Sequence, residues 1–262
     1  MVGVSGGSRT ADRASKHLPG VPVGAPAWVA ADADIVIIAT PDDRIALICS
    51  DLASQEAFRP DQTVVHLSGA TGLDALAPAR NAGAAVLSLH PLQTFPDVES
   101  AIERVPGSGM AVTAENEDTY QLGERLAEDV GARPFRLSDE AKPLYHAAAV
   151  FASNYVVAVV GLAERLFRRA GVRDPLPLFL PLFRASAEAI SSVGPEQALT
   201  GPVVRGDAGT LEANLTALRR RARFALPVYL ALAESALELA EQARRISPAG
   251  RLAVQEVLER WK

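Results

Sequence analysis

The chain is expected to fold as an α/β domain built on a parallel sheet, followed by an all-helical C-terminal half. Three observations predict this. Up to about residue 138, short Val/Ile-rich runs alternate with helical patterns, and such alternation marks βαβ units. The clearest run, Asp34–Thr40 (DIVIIAT), is continuously apolar, as in strands covered on both faces. After Ser138 such runs stop, and helical patterns continue to the end.

The elements follow in order. Residues 2–5 form a short β-type run ending in glycines, and 11–18 a helical pattern. A Gly/Pro connection, 19–26, holds a short strand at Val21–Val23. The strand 34–40 is stopped by Pro41, and Asp42 is placed to cap a helix over 43–53. Strands are expected at 63–68, 85–89, 110–113 and 132–137, with helices around 73–82 and 118–130. Helical patterns then cover 142–171, 175–193, 206–222, 225–245 and 247–261, broken at Gly171, Gly194 and Gly201-Pro202. The domain boundary is placed near 136–141, giving domains 1–138 and 139–262.

Composition narrows the function. A length of 262 residues, 48% hydrophobic and 22% charged, suits a soluble chain of one large or two small domains. A formal charge of -5 argues against a nucleic-acid or anionic-membrane partner, although a local basic patch can still hold a small anion. The single cysteine, Cys49, cannot form an intrachain disulfide and reads as core. With no secretion leader expected at the N-terminus, the compartment is the reducing cytosol. Leu144–Ala163 is apolar enough to resemble a membrane span, but it contains His146, Ser153 and Asn154, so a core helix is expected. One cysteine and four scattered histidines give no metal-ligand spacing, and a G-x-S-x-G elbow is absent.

The most informative stretch is Lys142–Tyr155, KPLYHAAAVFASNY. On a helix, Lys142, His146 and Ser153 fall within about 40° of one another, and Asn154 about 120° from Lys142. An oily helix that carries an amine, an imidazole and an amide on one side presents chemistry to a cleft. The alternative is that Lys142 snorkels to water while His146 and Asn154 satisfy neighbouring backbone.

In parallel sheets, ligands gather at the carboxyl ends of the strands. Here those ends are Ser5–Arg9, Thr40-Pro41-Asp42, Ser68-Gly69-Ala70 and His90-Pro91-Leu92-Gln93, a small, polar set suited to phosphate and ribose. An acid at the end of the second strand of a dinucleotide fold would hold the NAD 2′-hydroxyl. Here Ser8 and Arg9 suit a 2′-phosphate instead, the alternative being a polar loop with an arginine in solvent. His90 is placed to orient a substrate oxygen or donate a proton. His66, inside a strand, reads as packing. Asp207 caps the helix after the turn Gly201–Asp207, and Arg205 on that turn is placed to clamp an anion.

The segments ADADIVIIATPDDRI, VVHLSGATGLDAL, LSLHPLQTF, KPLYHAAAVFASNY and TGPVVRGD together resemble, over almost the whole chain, the uncharacterised proteins that join a Rossmann-like domain to a DUF2520 domain. That family resembles the 6-phosphogluconate dehydrogenase-like group, which includes 3-hydroxyisobutyrate dehydrogenases and ketopantoate reductases. The resemblance implies hydride transfer between NADP (or NAD) and a small hydroxy or keto acid. It makes Lys142 the acid/base, with His146 standing where the group has asparagine and, with Asn154, positioning the substrate oxygen. His90, Gln93 and Arg205 would meet the substrate. Ser8, Arg9, Thr40, Pro41, Ser68 and Gly69 would meet the cofactor. A homodimer through the helical domain is expected. The family's opening strand, G-x-G-x-x-G turn and helix, about 25–30 residues, has no counterpart here, so the sequence is expected to begin at the second strand; either its start is placed too late, or the chain is truncated, and in the second case cofactor binding should be badly weakened. The alternative function is a non-catalytic nucleotide or metabolite binder.

Overall fold

A computed structural model describes all 262 residues. The chain divides into two compact units, Met1–Tyr155 and Val156–Lys262. The division falls one helix later than the sequence predicts.

The first unit holds five strands, β1 (Ile35–Ile38), β2 (Thr63–His66), β3 (Ala85–Pro91), β4 (Gly109–Ala114) and β5 (Arg133–Arg136), in that spatial order. β1–β2, β2–β3 and β4–β5 pair parallel, while β3 and β4 pair antiparallel, with Ser88 opposite Thr113. The register aligns Ile38, His66 and Ser88 across three strands, so their carboxyl ends form one edge. Helices α1 (Thr10–His17), α2 (Pro26–Ala31), α3 (Asp42–Ser54), α4 (Ala77–Asn81, after a 3₁₀ turn at Leu73–Leu76), α5 (Val98–Arg104) and α6 (Glu117–Asp129) connect these elements. The short α5 was not expected.

Strand pleating sends alternate residues to opposite faces, and each face has its own core. Ile38, Val64 and Val86 pack with Ile45, Cys49 and Leu52 of α3. On the other face Val65, Leu87, Leu89 and Val112 pack with Tyr120 and Ala127 of α6. Cys49 is buried and free, as expected. α6 covers β3, β4 and β5. β1 lies beyond it, so Ile37 is 57% exposed and the expectation that this strand is covered on both faces does not hold. The two N-terminal strands are also reduced. Val4 and Val23 make one isolated parallel bridge, because the glycines and prolines around them leave too short a run for a ladder.

α7 (Lys142–Ala152) and α8 (Asn154–Arg169) replace the expected single helix, with a break at Ser153 (φ -129°, ψ -71°). Residues 139–169 are apolar and long enough to cross a membrane. Leu144–Ala163 within them was expected to be a buried core helix, yet Leu144 (78%) and Phe151 (67%) are exposed. The side of α7 turned inward is its polar side. Lys142 is fully buried, and Tyr145, His146, Ala149, Val150 and Ser153 are half-buried.

The second unit continues with α9 (Pro175–Ala198, kinked at Gly194), α10 (Ala208–Arg221), α11 (Leu226–Gln242) and α12 (Pro248–Trp261). Leu211, Leu215, Leu237, Val254 and Leu258 form its main core. Asp207 caps α10 as expected, its carboxylate accepting from the Thr210 N–H at 3.0 Å. Arg245 closes the end of α9 by donating to the Glu196, Gln197 and Leu199 carbonyls at 2.7–2.9 Å.

α6 lies tight against the sheet at Gly123, where a side chain would meet Val112 Cγ1 at 2.6 Å and Leu87 Cδ1 at 3.0 Å. Gly123→Ala gains about 1 kcal/mol of helix propensity and loses about 1–3 kcal/mol to overpacking. The expected outcome in urea unfolding is a lower midpoint with an unchanged slope.

Candidate functional site

The site is assembled where α7 crosses the carboxyl ends of β2 and β3. Lys142 Nζ donates to the Ser68 carbonyl at 2.9 Å and to Ser88 Oγ at 2.8 Å. Ser68 Oγ donates to Asp42 Oδ2 at 2.7 Å and accepts from the N–H groups of Ala70 (3.2 Å) and Thr71 (2.9 Å). Asp139, just before α7, accepts from the Leu73 N–H at 2.9 Å. One loop, 68–73, is thus held from both sides. Asp42 was expected to cap α3. Instead Pro41 occupies the N-cap and no side chain caps that end; the Asp42 carboxylate is engaged by Ser68.

One helical turn after Lys142, Tyr145 and His146 face the end of β3. His90 Nδ1 and Tyr145 Oη share a 2.8 Å hydrogen bond. The His90 and His146 rings lie edge to face with centroids 6.3 Å apart. Gly69 is flush against this group, since a side chain there would meet the His90 ring at 2.7 Å. His90, Gln93, Thr94, His146, Ser153 and Asn154 are among the residues lining a cavity of about 370 Å³.

The electrostatics follow from burial. Desolvation brings the Lys142 ammonium down to about 8, against the pull of Asp139 and Asp42. Desolvation, with the nearby Lys142 charge, lowers both His66 and His90 to about 4. Burial lifts Tyr145 to about 12. At neutral pH, then, neutral imidazoles and a protonated phenol surround a single buried ammonium. His66 Nδ1 accepts from the Ser68 N–H at 3.2 Å, so its hydrogen sits on Nε2, which has no partner. His66 packs inside the sheet, as expected, and is fully buried. His146 Nδ1 and Thr40 Oγ1 are also buried without partners.

The sequence-predicted residues distribute as follows. His90, Gln93, His146 and Asn154 share the cavity. Lys142 does not line it; it lies fully buried at the strand ends. Ser68 and Gly69 lie in the loop that Lys142 holds, and Thr40 and Pro41 follow β1. Ser8 and Arg9 are exposed ahead of α1. Arg205 is in the second unit, exposed, with Nη2 3.9 Å from Asp207 Oδ2. Sequence reasoning missed Tyr145, Ser88, Asp139 and the bonding role of Asp42. Tyr145 carried a signal, since it sits between Lys142 and His146 one turn along the same face. Ser88 carried none, being one small residue inside a strand.

Residues 1–91 match a Rossmann-like domain, and residues 108–236 match the domain of unknown function DUF2520. The chain belongs to the family that joins these two domains. No curated protein matches this Rossmann–DUF2520 chain. Among solved structures, protein TM1727 from Thermotoga maritima is 26% identical, with a TM-score of 0.72 and 90% of each chain covered. BF3122 from Bacteroides fragilis, provisionally named an NADP oxidoreductase, is 20% identical, with a TM-score of 0.70, 91% of this chain and 88% of that chain covered. A 1-pyrroline-5-carboxylate reductase from Streptococcus pyogenes is 18% identical, with a TM-score of 0.57 over 91% and 88%. The last two likenesses are of fold. The Rossmann–DUF2520 chain thus shares the fold of these structures.

Two pH windows test the buried groups. Between about pH 4 and 6.5, the unfolded chain binds protons on His66 and His90 that the folded chain refuses, so stability falls as pH drops through that window. His66→Gln should flatten this acid limb by up to one proton in urea melts. Between about pH 8 and 10.5, the unfolded chain is protonated at residue 142 and the folded chain is not. Stability therefore gains up to about 3 kcal/mol on raising pH through that window. The gain should vanish in Lys142→Met, measured as the difference from wild type.

Proposed function

We propose that this Rossmann–DUF2520 protein is an NADP-dependent oxidoreductase acting on a small substrate of hydroxy-acid or keto-acid type. The observation that carries the reading is the convergence of His90, Gln93, His146 and Asn154 on one cavity at the carboxyl edge of the sheet. A volume of about 370 Å³ lies in the range of small-ligand sites, and this edge is where α/β sheets bind ligands. The name carried by the Bacteroides structure favours a nicotinamide cofactor.

His146 is the group assigned to exchange a proton with the substrate oxygen, because its Nδ1 is buried and unpartnered beside the cavity. Asn154 and Gln93 bring amides that orient that oxygen and the acid group. The neutral His90, braced by Tyr145, is the wall against which the substrate seats. Lys142 is assigned as a positioning residue, since its amine is spent on Ser68 and Ser88.

The residues present fit part of a dinucleotide. Thr40 Oγ1, buried and orphaned after β1, is a hydrogen-bonding group in want of a ligand hydroxyl or phosphate. Gly69 keeps the adjoining loop close to His90. Thr40, Pro41, Ser68 and Gly69 would line the groove, and Ser8 and Arg9 would hold a 2′-phosphate. NADP would supply or accept the hydride.

A second reading, a binder without turnover, is favoured by one observation: the lysine expected to do acid/base work is fully buried and does not line the cavity. Turnover decides between the two. NADPH should show enhanced nicotinamide fluorescence on binding, weakened at least about tenfold by Arg9→Ala. Oxidation of NADPH across a panel of keto acids should fall about 10²–10⁴-fold in His146→Ala. Binding without oxidation selects the binder, and no binding at tens of micromolar NADPH sinks both.

A homodimer through the helical unit completes the proposal. α9 keeps only Pro175 and Phe179 buried, while Leu178 and Leu182 are 69% and 68% exposed and Val157 of α8 is 71% exposed. Helices draw most of their stability from a packed apolar face, and a second copy would supply it. Light scattering should give the mass of two chains for wild type and of one chain for the Leu178→Glu, Leu182→Glu variant.

A further inference from the structure

The second unit carries a concentration of positive charge that the proposed reaction leaves unused. Residues 165–173 hold four arginines and residues 219–223 hold four more, in a chain of formal charge -5. Leu162 and Leu166 of α8 pack with Leu218 and Ala222 at the end of α10, which brings the two runs together. Arg165, Arg168, Arg169 and Phe224 line an open cleft of about 320 Å³.

Each arginine is held differently. The Arg165 guanidinium lies 3.9 Å from the centroid of the Phe224 ring, an arrangement that orients the planar fork. Arg168 Nη2 pairs with Glu164 Oε1 at 2.7 Å. Arg221 Nη2 donates to the Arg169 carbonyl at 3.0 Å and so closes the end of α8. Arg165 and Arg169 themselves take part in no ion pair.

Helix ends explain part of this charge. A helix C-terminus carries about half a negative charge, so α8 and α10 together call for about one arginine, and Glu164 occupies another. Among Arg165, Arg168, Arg169 and Arg221, about two positive charges are left over. One is a fork fixed on an aromatic face and the other is an unpaired fork in the same cleft. Such forks match phosphate oxygens bidentately. The cleft is small, and the acidic chain as a whole repels long polyanions, so the charge and size favour a small ligand over a nucleic acid.

We propose that this cleft binds the phosphate groups of a small phosphorylated metabolite. Arg165 and Arg169 are its principal contacts, and Arg168 is a third fork partly masked by Glu164. The site lies wholly within the second unit and stands independently of the oxidoreductase reading.

The test is titration calorimetry on the full chain with inorganic pyrophosphate, and with sulfate at matched ionic strength. Pyrophosphate should bind once per chain, at least about tenfold more tightly than sulfate. Arg165→Gln with Arg169→Gln should weaken it at least about tenfold. Glu164→Gln, which frees Arg168, should tighten it about threefold or more. Because Glu164→Gln removes no arginine and Glu164 is partly exposed, it carries the test alone if the double variant fails to fold. Three results overturn the proposal: no heat at millimolar pyrophosphate, equal binding by a folded double variant, or weaker binding by Glu164→Gln. A short oligonucleotide that outcompetes pyrophosphate at equal phosphate concentration also overturns it and assigns the cleft to nucleic acid.

Discussion

The first unit depends on one buried ammonium. Lys142 is completely enclosed, and removing an amine from water costs several kcal/mol unless it is hydrogen-bonded or gives up its proton. Here both happen in part. Its pKa falls to about 8, and the Ser68 carbonyl and Ser88 hydroxyl each accept a hydrogen bond from it. One acceptor lies just past β2 and the other within the adjacent β3, so satisfying the amine fixes where α7 crosses the sheet. Helical periodicity then carries the consequence along the chain. With Lys142 facing the strands, Tyr145 and His146 face them too, and the His90–Tyr145 hydrogen bond follows.

The same contact sets the charge state of the site. Imidazoles beside an ammonium in a poorly solvated space stay neutral, and His66 and His90 both titrate at about 4. Asp42 and Asp139 lie close enough to act on the lysine, yet each spends its hydrogen bonds on the loop, at Ser68 and Leu73. The result is one cation beside the neutral His66 and His90 imidazoles and the Tyr145 phenol, with two carboxylates turned to the loop. No group of three or more metal-ligating side chains is present.

α7 also inverts the usual arrangement of an amphipathic helix. Its polar side turns to the sheet, while Leu144 and Phe151 face outward. Val157 of α8 and Leu178 and Leu182 of α9 are likewise exposed. An apolar surface of this extent is unusual on a monomer, which is why a second copy belongs in the functional proposal.

By itself, the sequence determined the alternation of strands and helices, the place where strands give way to helices, and the facing of Lys142, His146 and Ser153. Each follows from local periodicity, which depends only on neighbours within a few residues. It also placed His90, Gln93, His146 and Asn154 as candidates, because polar groups at strand ends and on oily helices are conspicuous. Tertiary structure alone decided that Lys142 is enclosed and bonded to Ser88, that Asp42 serves the loop at Ser68, that β1 keeps an uncovered face, and that the α8 arginines line one cleft with Phe224. Those outcomes turn on which distant side chains meet, and on what burial does to their charges, and no local pattern encodes either.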